Sequence, residues 1–243
     1  MHRALQQDDK GRRYYQLDED LKENAMVYLP GPVCCVTAFS VDMTEADSFR
    51  KKLENETGVH VSVTSLIVKA AADPLEDFPI LCGKWKSMDT LICPNLGEMS
   101  VDGPVQIGNT IGFFFINRAS QKTLLEISKE LEAQVDEIKS AKKAAWPEEG
   151  QLTPPACISN VGTLGPVELA FGPVAWFATS ILGICAIQEK PVAKDGQIVI
   201  RKMMNASLSW DHRAMMANTP IGFLSELKRR LEDPVTYLDV KPS

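Results

Sequence analysis

Apolar positions recur along this chain in two registers, one of strands and one of helices. Val33 to Val41 is rich in β-formers and lies between Pro32 and Asp42, which predicts a strand. Thr44 then reads as the cap of a helix with Ala46, Phe49 and Leu53 on one face, ended by Gly58. Thr64 reads as the cap of the next helix, whose Leu66, Ile67, Ala70 and Ala71 face a core. Pro74 should end or kink it, because proline removes a helix hydrogen bond and crowds the preceding turn. Met88 to Cys93 predicts a short strand, and Thr110 to Asn117 (TIGFFFIN), apolar without a polar face, a central one.

Ser120 to Lys143 carries Leu124, Ile127, Leu131, Val135 and Ile138 at spacings of three and four with charges between, the signature of an amphipathic helix. The connector WPEEGQLTPP follows, and its prolines oppose regular structure. Strands are predicted at 156–159, 180–188, 197–203 and 205–210, with Asp195-Gly196 as a hairpin turn. A last helix spans about Thr219 to Glu232 and stops before Pro234. The order predicts an α/β chain (mixed sheet, α+β in character) flanked by helices in one compact domain over 31–243. Residues 1–30, polar and charged, read as an arm packed on a neighbour.

Composition narrows the function. A net charge of -6 argues against a nucleic-acid binder living on phosphate contacts. No run approaches the ~18 apolar residues of a membrane span, and Met1 to Tyr15 has no apolar signal core, so the expected compartment is the cytoplasm. Six cysteines without a Cys-x-x-Cys pair, and histidines only at 2, 60 and 212, give no basis for a metal site. Cys34 and Cys35 have no basic or histidine neighbour in sequence to activate a thiolate.

One segment carries chemistry. In Ser207-Leu208-Ser209-Trp210-Asp211-His212-Arg213 a histidine sits between an acid and a base where a strand yields to a turn. Histidine accepts protons near neutrality, and strand ends hold reactive side chains rigidly. A histidine satisfied in a polar turn is the plain alternative.

SLSWDHR with FLSELKRRLEDP, and upstream ISNVGTLG at Ile158–Gly165, resemble the catalytic domain of 2-oxo acid dehydrogenase acyltransferases. The same order continues in SILGICAIQEKPVAKDGQIVIRKMMNASLSWDH, FSVDMTEADSFRKKL, VTSLIVKAAA and SQKTLLEISKELEAQ, covering roughly residues 33–238. The resemblance implies a chloramphenicol acetyltransferase-like fold, a homotrimer or a multiple of trimers, and active sites between subunits. It implies His212 as the base that deprotonates the thiol of coenzyme A or dihydrolipoamide, and Ser159 as donor to the oxyanion. Asp211, Arg213, Trp176 and Met216 fall where substrate-binding groups would lie; on residue type alone Trp176 with Phe177 reads first as core packing. Coenzyme A enters as substrate. A lipoyl group or acyl thioester is expected from another protein, since 243 residues leave room for the core alone and for no attached lipoyl or subunit-binding domain.

The family signature His-x-x-x-Asp-Gly reads here His212-Arg213-Ala214-Met215-Met216-Ala217. The family's acid pairs with an arginine ahead of the first strand, and DEDLKENAMVYLPGP has none. Both partners are therefore missing together, which avoids an uncompensated buried charge. Alanine for glycine implies a loop that needs no positive φ. Three activities fit: acyl transfer, a non-catalytic trimeric scaffold whose channel is plugged by Met215, Met216, Trp210 and Phe223, or hydrolysis or carbon–carbon chemistry in the same pocket.

Overall fold

A computed structural model describes residues 5–7, 13–16, 31–87, 89–141, 156–174 and 178–238. The first long element is β3 (Cys34–Asp42), preceded by β1 (Leu5–Gln7) and β2 (Arg13–Gln16). Cys34, Val36, Ala38 and Ser40 face out while Cys35, Thr37, Phe39 and Val41 face in, the two-residue alternation of a strand. Helix α1 (Thr44–Thr57) follows and closes on Gly58, whose φ of 69° permits its N–H to reach the Glu54 carbonyl. Its start differs from the expectation: the Thr44 hydroxyl accepts the Lys202 N–H at 3.0 Å and caps nothing in its own helix, while Asp42 Oδ1 accepts the Thr44 N–H at 3.0 Å.

Helix α2 (Val63–Asp77) is likewise capped by Ser62, which accepts the Ser65 N–H, while Thr64 Oγ1 instead accepts a hydrogen bond from Asn160. Pro74 does not end this helix. Leu66, Ile67, Val68, Ala70, Ala71, Ala72 and Leu75 are all buried around it, so packing offsets the lost backbone bond. A 3-10 turn (Pro79–Cys82) leads to β4 (Lys84–Trp85) and β5 (Thr90–Cys93). Met88, placed in that strand from sequence, lies outside the described residues. The order β1-β2-β5-β4 makes a small separate sheet, in which the described parts of the 1–30 segment pair with β5 of the same chain.

Among the described residues the main sheet has seven strands. β6 (Val101–Ile107) and β7 (Thr110–Ile116) form a hairpin; β8 (Ala156–Asn160) runs parallel to both β6 and β9 (Ser180–Ile184). β10 (Gln188–Lys194) pairs with the first half of β11 (Gln197–Asp211), and β9 and β3 pair with its second half. Asp195 and Gly196, at φ 52° and 76°, make the expected turn between β10 and β11. The two strands read over 197–210 are thus one, and the run read over 180–188 is divided.

Among the described residues β7 lies at the edge of the sheet and not in its centre. Its apolar run satisfies a buried face, Phe114 and Ile116, and helix α3 (Leu124–Ala141) packs beside it. Gln134 of α3 pairs with the Phe115 peptide, its Oε1 accepting the N–H and its Nε2 donating to the carbonyl, both at 2.7 Å. α3 begins later than Ser120, at a box in which Thr123 Oγ1 accepts the Glu126 N–H and Glu126 accepts the Thr123 N–H. α4 (Asn218–Glu232) and α5 (Pro234–Leu238) complete the helical layer over Ile158, Leu182, Ala206 and Leu208. β6 was not expected because Gly103 and Pro104 break its pattern. Glycine is needed there, since a Cβ at 103 would lie 2.4 Å from the Ile158 carbonyl oxygen.

Candidate active site

β11 ends at Asp211, and the chain turns sharply: the Ala214 N–H donates to the Asp211 carbonyl at 2.9 Å. The turn is tied to the strands beside it by Asp211 N–H to Thr179 O (2.9 Å) and His212 N–H to Val33 O (2.8 Å). Thr179 is itself fixed, its hydroxyl donating to the Ile80 carbonyl and accepting the Gly83 N–H.

The Asp211 carboxylate is wholly buried. It accepts hydrogen bonds from the Val33 N–H (3.2 Å), the Arg213 N–H (3.0 Å) and the Trp85 indole N–H (3.1 Å). The Arg213 guanidinium completes the shell at 2.6 Å, and its carbon lies 5.0 Å from the centre of the Trp85 ring. Both charged neighbours of His212 are therefore engaged with each other and with Trp85, and orient the turn. Nothing in the sequence marks Trp85, which is brought in by β4 pairing with β5.

His212 is half-buried. Its ring lies against the Trp210 indole with centroids 4.9 Å apart and planes inclined at 39°. Its Nδ1 is buried and has no hydrogen-bond partner among the described residues. Met216 is half-buried in the loop leading to α4, and Ala217 takes ordinary right-handed helical angles (φ -56°, ψ -25°), so that position does not need glycine. Met215, Trp210 and Phe223 belong to the chain's own core, at 6%, 3% and 2% exposure. Trp176 lies outside the described residues.

Ser159 is near the end of β8, half-buried, and lines a cavity of about 760 Å³. Thr64, Ser128 and Asn160 give that cavity a polar end, Val105, Phe114, Leu131 and Val135 an apolar floor, and Glu132, Asp136 and Lys139 a charged rim. His212 is not part of it. The register explains why: Ser159 is level with Gly183, Gly183 with Ser207, and His212 follows Ser207 by five residues. Two strand spacings and five residues of rise put the two side chains roughly 20 Å apart within one chain.

Neither Cys35 nor Cys157 is an activated thiolate. Burial, with Cys34 and Asp211 adding to it, raises the Cys35 thiol, and burial raises Cys157 further. Asp102, across from Cys157 in the β6–β8 pair, is pushed up to about 7 by burial. Among the described residues no group of three His, Cys, Asp or Glu is placed to hold a metal ion, and no helix is long and apolar enough to cross a membrane.

Comparison with known proteins agrees with this architecture. A dihydrolipoyllysine-residue succinyltransferase component of the 2-oxoglutarate dehydrogenase complex from Pseudomonas aeruginosa is 32% identical over 192 residues, 79% of this chain and 44% of the relative. The chain spans less than half the length of the curated relatives it matches. The dihydrolipoamide acetyltransferase of Azotobacter vinelandii superimposes with a TM-score of 0.74 at 26% identity, covering 87% of this chain and 86% of the other. A chloramphenicol acetyltransferase shares the fold, with a TM-score of 0.56 at 14% identity over 97% of this chain and 100% of its own. Residues 32–238 match the 2-oxoacid dehydrogenases acyltransferase (catalytic domain) family, and the chain belongs to it.

Proposed function

We propose that this protein moves an acyl group between a thioester and coenzyme A or another small thiol, at a site shared by neighbouring copies in a trimer or multiple of trimers. The observation that carries this reading is the separation of Ser159 from His212. A base and an oxyanion donor at opposite ends of one sheet work together when they come from different chains. The Azotobacter relative was studied for the roles of a serine, a histidine and an asparagine four residues later in its catalytic mechanism. Ser159 and His212 match the first two residue types in the matched segments, and Met216 stands in the place of the third.

In the reaction, His212 removes the proton of the acceptor thiol, and the thiolate attacks the thioester carbonyl carbon. The carbonyl electron pair moves onto oxygen, where the Ser159 hydroxyl donates a hydrogen bond to the oxyanion. Collapse of the tetrahedral intermediate reforms the carbonyl and expels the donor thiolate, which takes the proton back from the imidazolium. Asp211, Arg213 and Trp85 hold the turn that carries the base. The cavity beside Ser159 is of a size that receives a thioester arm, supplied by coenzyme A or by a lipoyl group on another protein. Of the four residues named for a plugged channel, Met215, Trp210 and Phe223 lie in the core and Met216 alone is half-buried in the loop, which weighs against a scaffold role. Six free cysteines fit a reducing compartment, and we place the protein in the cytoplasm.

Transfer from acetyl-, succinyl- and isobutyryl-coenzyme A to dihydrolipoamide tests this. His212→Ala and Ser159→Ala should each lower kcat on the order of a hundredfold or more. Refolding the two variants together should recover roughly a quarter of wild-type activity, because random assembly pairs an intact histidine with an intact serine at that frequency. Transfer indifferent to His212→Ala, or no recovery on mixing, refutes the reading.

A further inference from the structure

We propose that Trp210 and Thr37 are positioning residues for His212, acting as an anchored aromatic wall that sets the angle of the imidazole. A general base is ordinarily oriented by an acceptor bonded to its second ring nitrogen. Here His212 Nδ1 has no such partner among the described residues, so no hydrogen bond from them fixes the ring. The main chain is held by the His212 N–H to Val33 carbonyl bond, which leaves the side-chain torsions to be set by packing.

The contact that does so is the Trp210 indole, 4.9 Å away and inclined at 39°. A wall can position a neighbour only if it is itself immobile. Trp210 is 3% exposed, and its Nε1–H donates to Thr37 Oγ1 at 3.1 Å. Thr37 is diagonal to it on the paired strand, opposite Leu208, while Trp210 is opposite Cys35. The hydroxyl thus pins the indole by its N–H while the imidazole rests against the ring. Threonine is stiff at χ1, which makes it a rigid anchor.

The inference rests on His212 being the base, and its test keeps the two separable. The protein has only three histidines, at 2, 60 and 212, so the imidazole resonances of labelled protein assign readily. The indole should displace the His212 Cε1–H signal from its free position by ring current. Thr37→Val removes the anchor, and should shift that signal and lower kcat on the order of ten- to a hundredfold, as slight misplacement of a catalytic group does. KM should stay within about twofold, since ground-state binding is untouched. Thr37→Ser, which keeps the hydroxyl, should restore both. Trp210→Phe keeps a ring without the indole N–H and should resemble Thr37→Val; if that core substitution fails to fold, the half-buried Thr37 variants decide. A Thr37→Val protein with an unmoved resonance overturns the proposal, whatever its kcat. If His212→Ala leaves transfer unchanged, the base assignment fails, while the resonance of Thr37→Val still decides whether the wall positions the ring.

Discussion

Removing the charge of Asp211 is the most direct test of how the His212 turn is built. The carboxylate is 0% exposed and gathers two backbone N–H groups, the Trp85 indole and the Arg213 guanidinium. Asp211→Asn keeps the shape but puts an amide NH2 where one oxygen accepted, facing donors. It also removes the Asp211 charge from beside Arg213, which is 13% exposed. Breaking one side of a buried ion pair costs about 3–5 kcal/mol. For a chain of this size the corresponding fall in Tm is about 10 °C. Urea denaturation at fixed protein concentration, which holds the contribution of assembly constant, should show a lower midpoint with an unchanged slope. Adding Arg213→Met to the same protein should cost less than the two single losses summed, because the two side chains share one ion pair. A loss under about 1 kcal/mol for Asp211→Asn would refute the argument, since that is the range of solvated surface pairs.

Two further outcomes follow from the geometry. Asp102, raised to about 7 from an ordinary 3.8, holds its proton in the folded chain while the unfolded chain has released it. Stability from this group is therefore greatest below about pH 4 and declines as pH rises to about 7; denaturation at pH 4 to 8 should show that slope, and Asp102→Asn should flatten it and stabilise the protein at pH 8 by ~2–4 kcal/mol. Met216→Asp returns the family's acid to a half-buried position without its arginine, and should lower stability by ~1–3 kcal/mol in thermal melts.

Much of the scaffold was legible in the residues because local rules decide it. Alternation gave β3, three-four spacing gave α3, and Asp195-Gly196 gave the hairpin. Where tertiary packing outweighs local preference, the reading fell short: Pro74 does not end α2, and β7 is apolar at an edge of the described sheet. The candidate site shows the same division. The motif marks His212, Asp211 and Arg213, yet their partners come from elsewhere: Trp85 lies 126 positions from Asp211, and Thr37 lies 173 from Trp210. No spacing rule couples residues so distant, and only the strand pairing discloses them.

The glutamine beside Phe115 has a consequence for how copies of this chain meet. An outer strand with open peptide groups invites a second molecule to zip alongside, the route to fibrous aggregates. Gln134 presents an amide of the same polarity as a peptide and occupies that station from within its own molecule. A strand from another molecule cannot hydrogen-bond at Phe115 without first displacing Gln134, so the outer side of β7 is closed at that station by the chain's own helix.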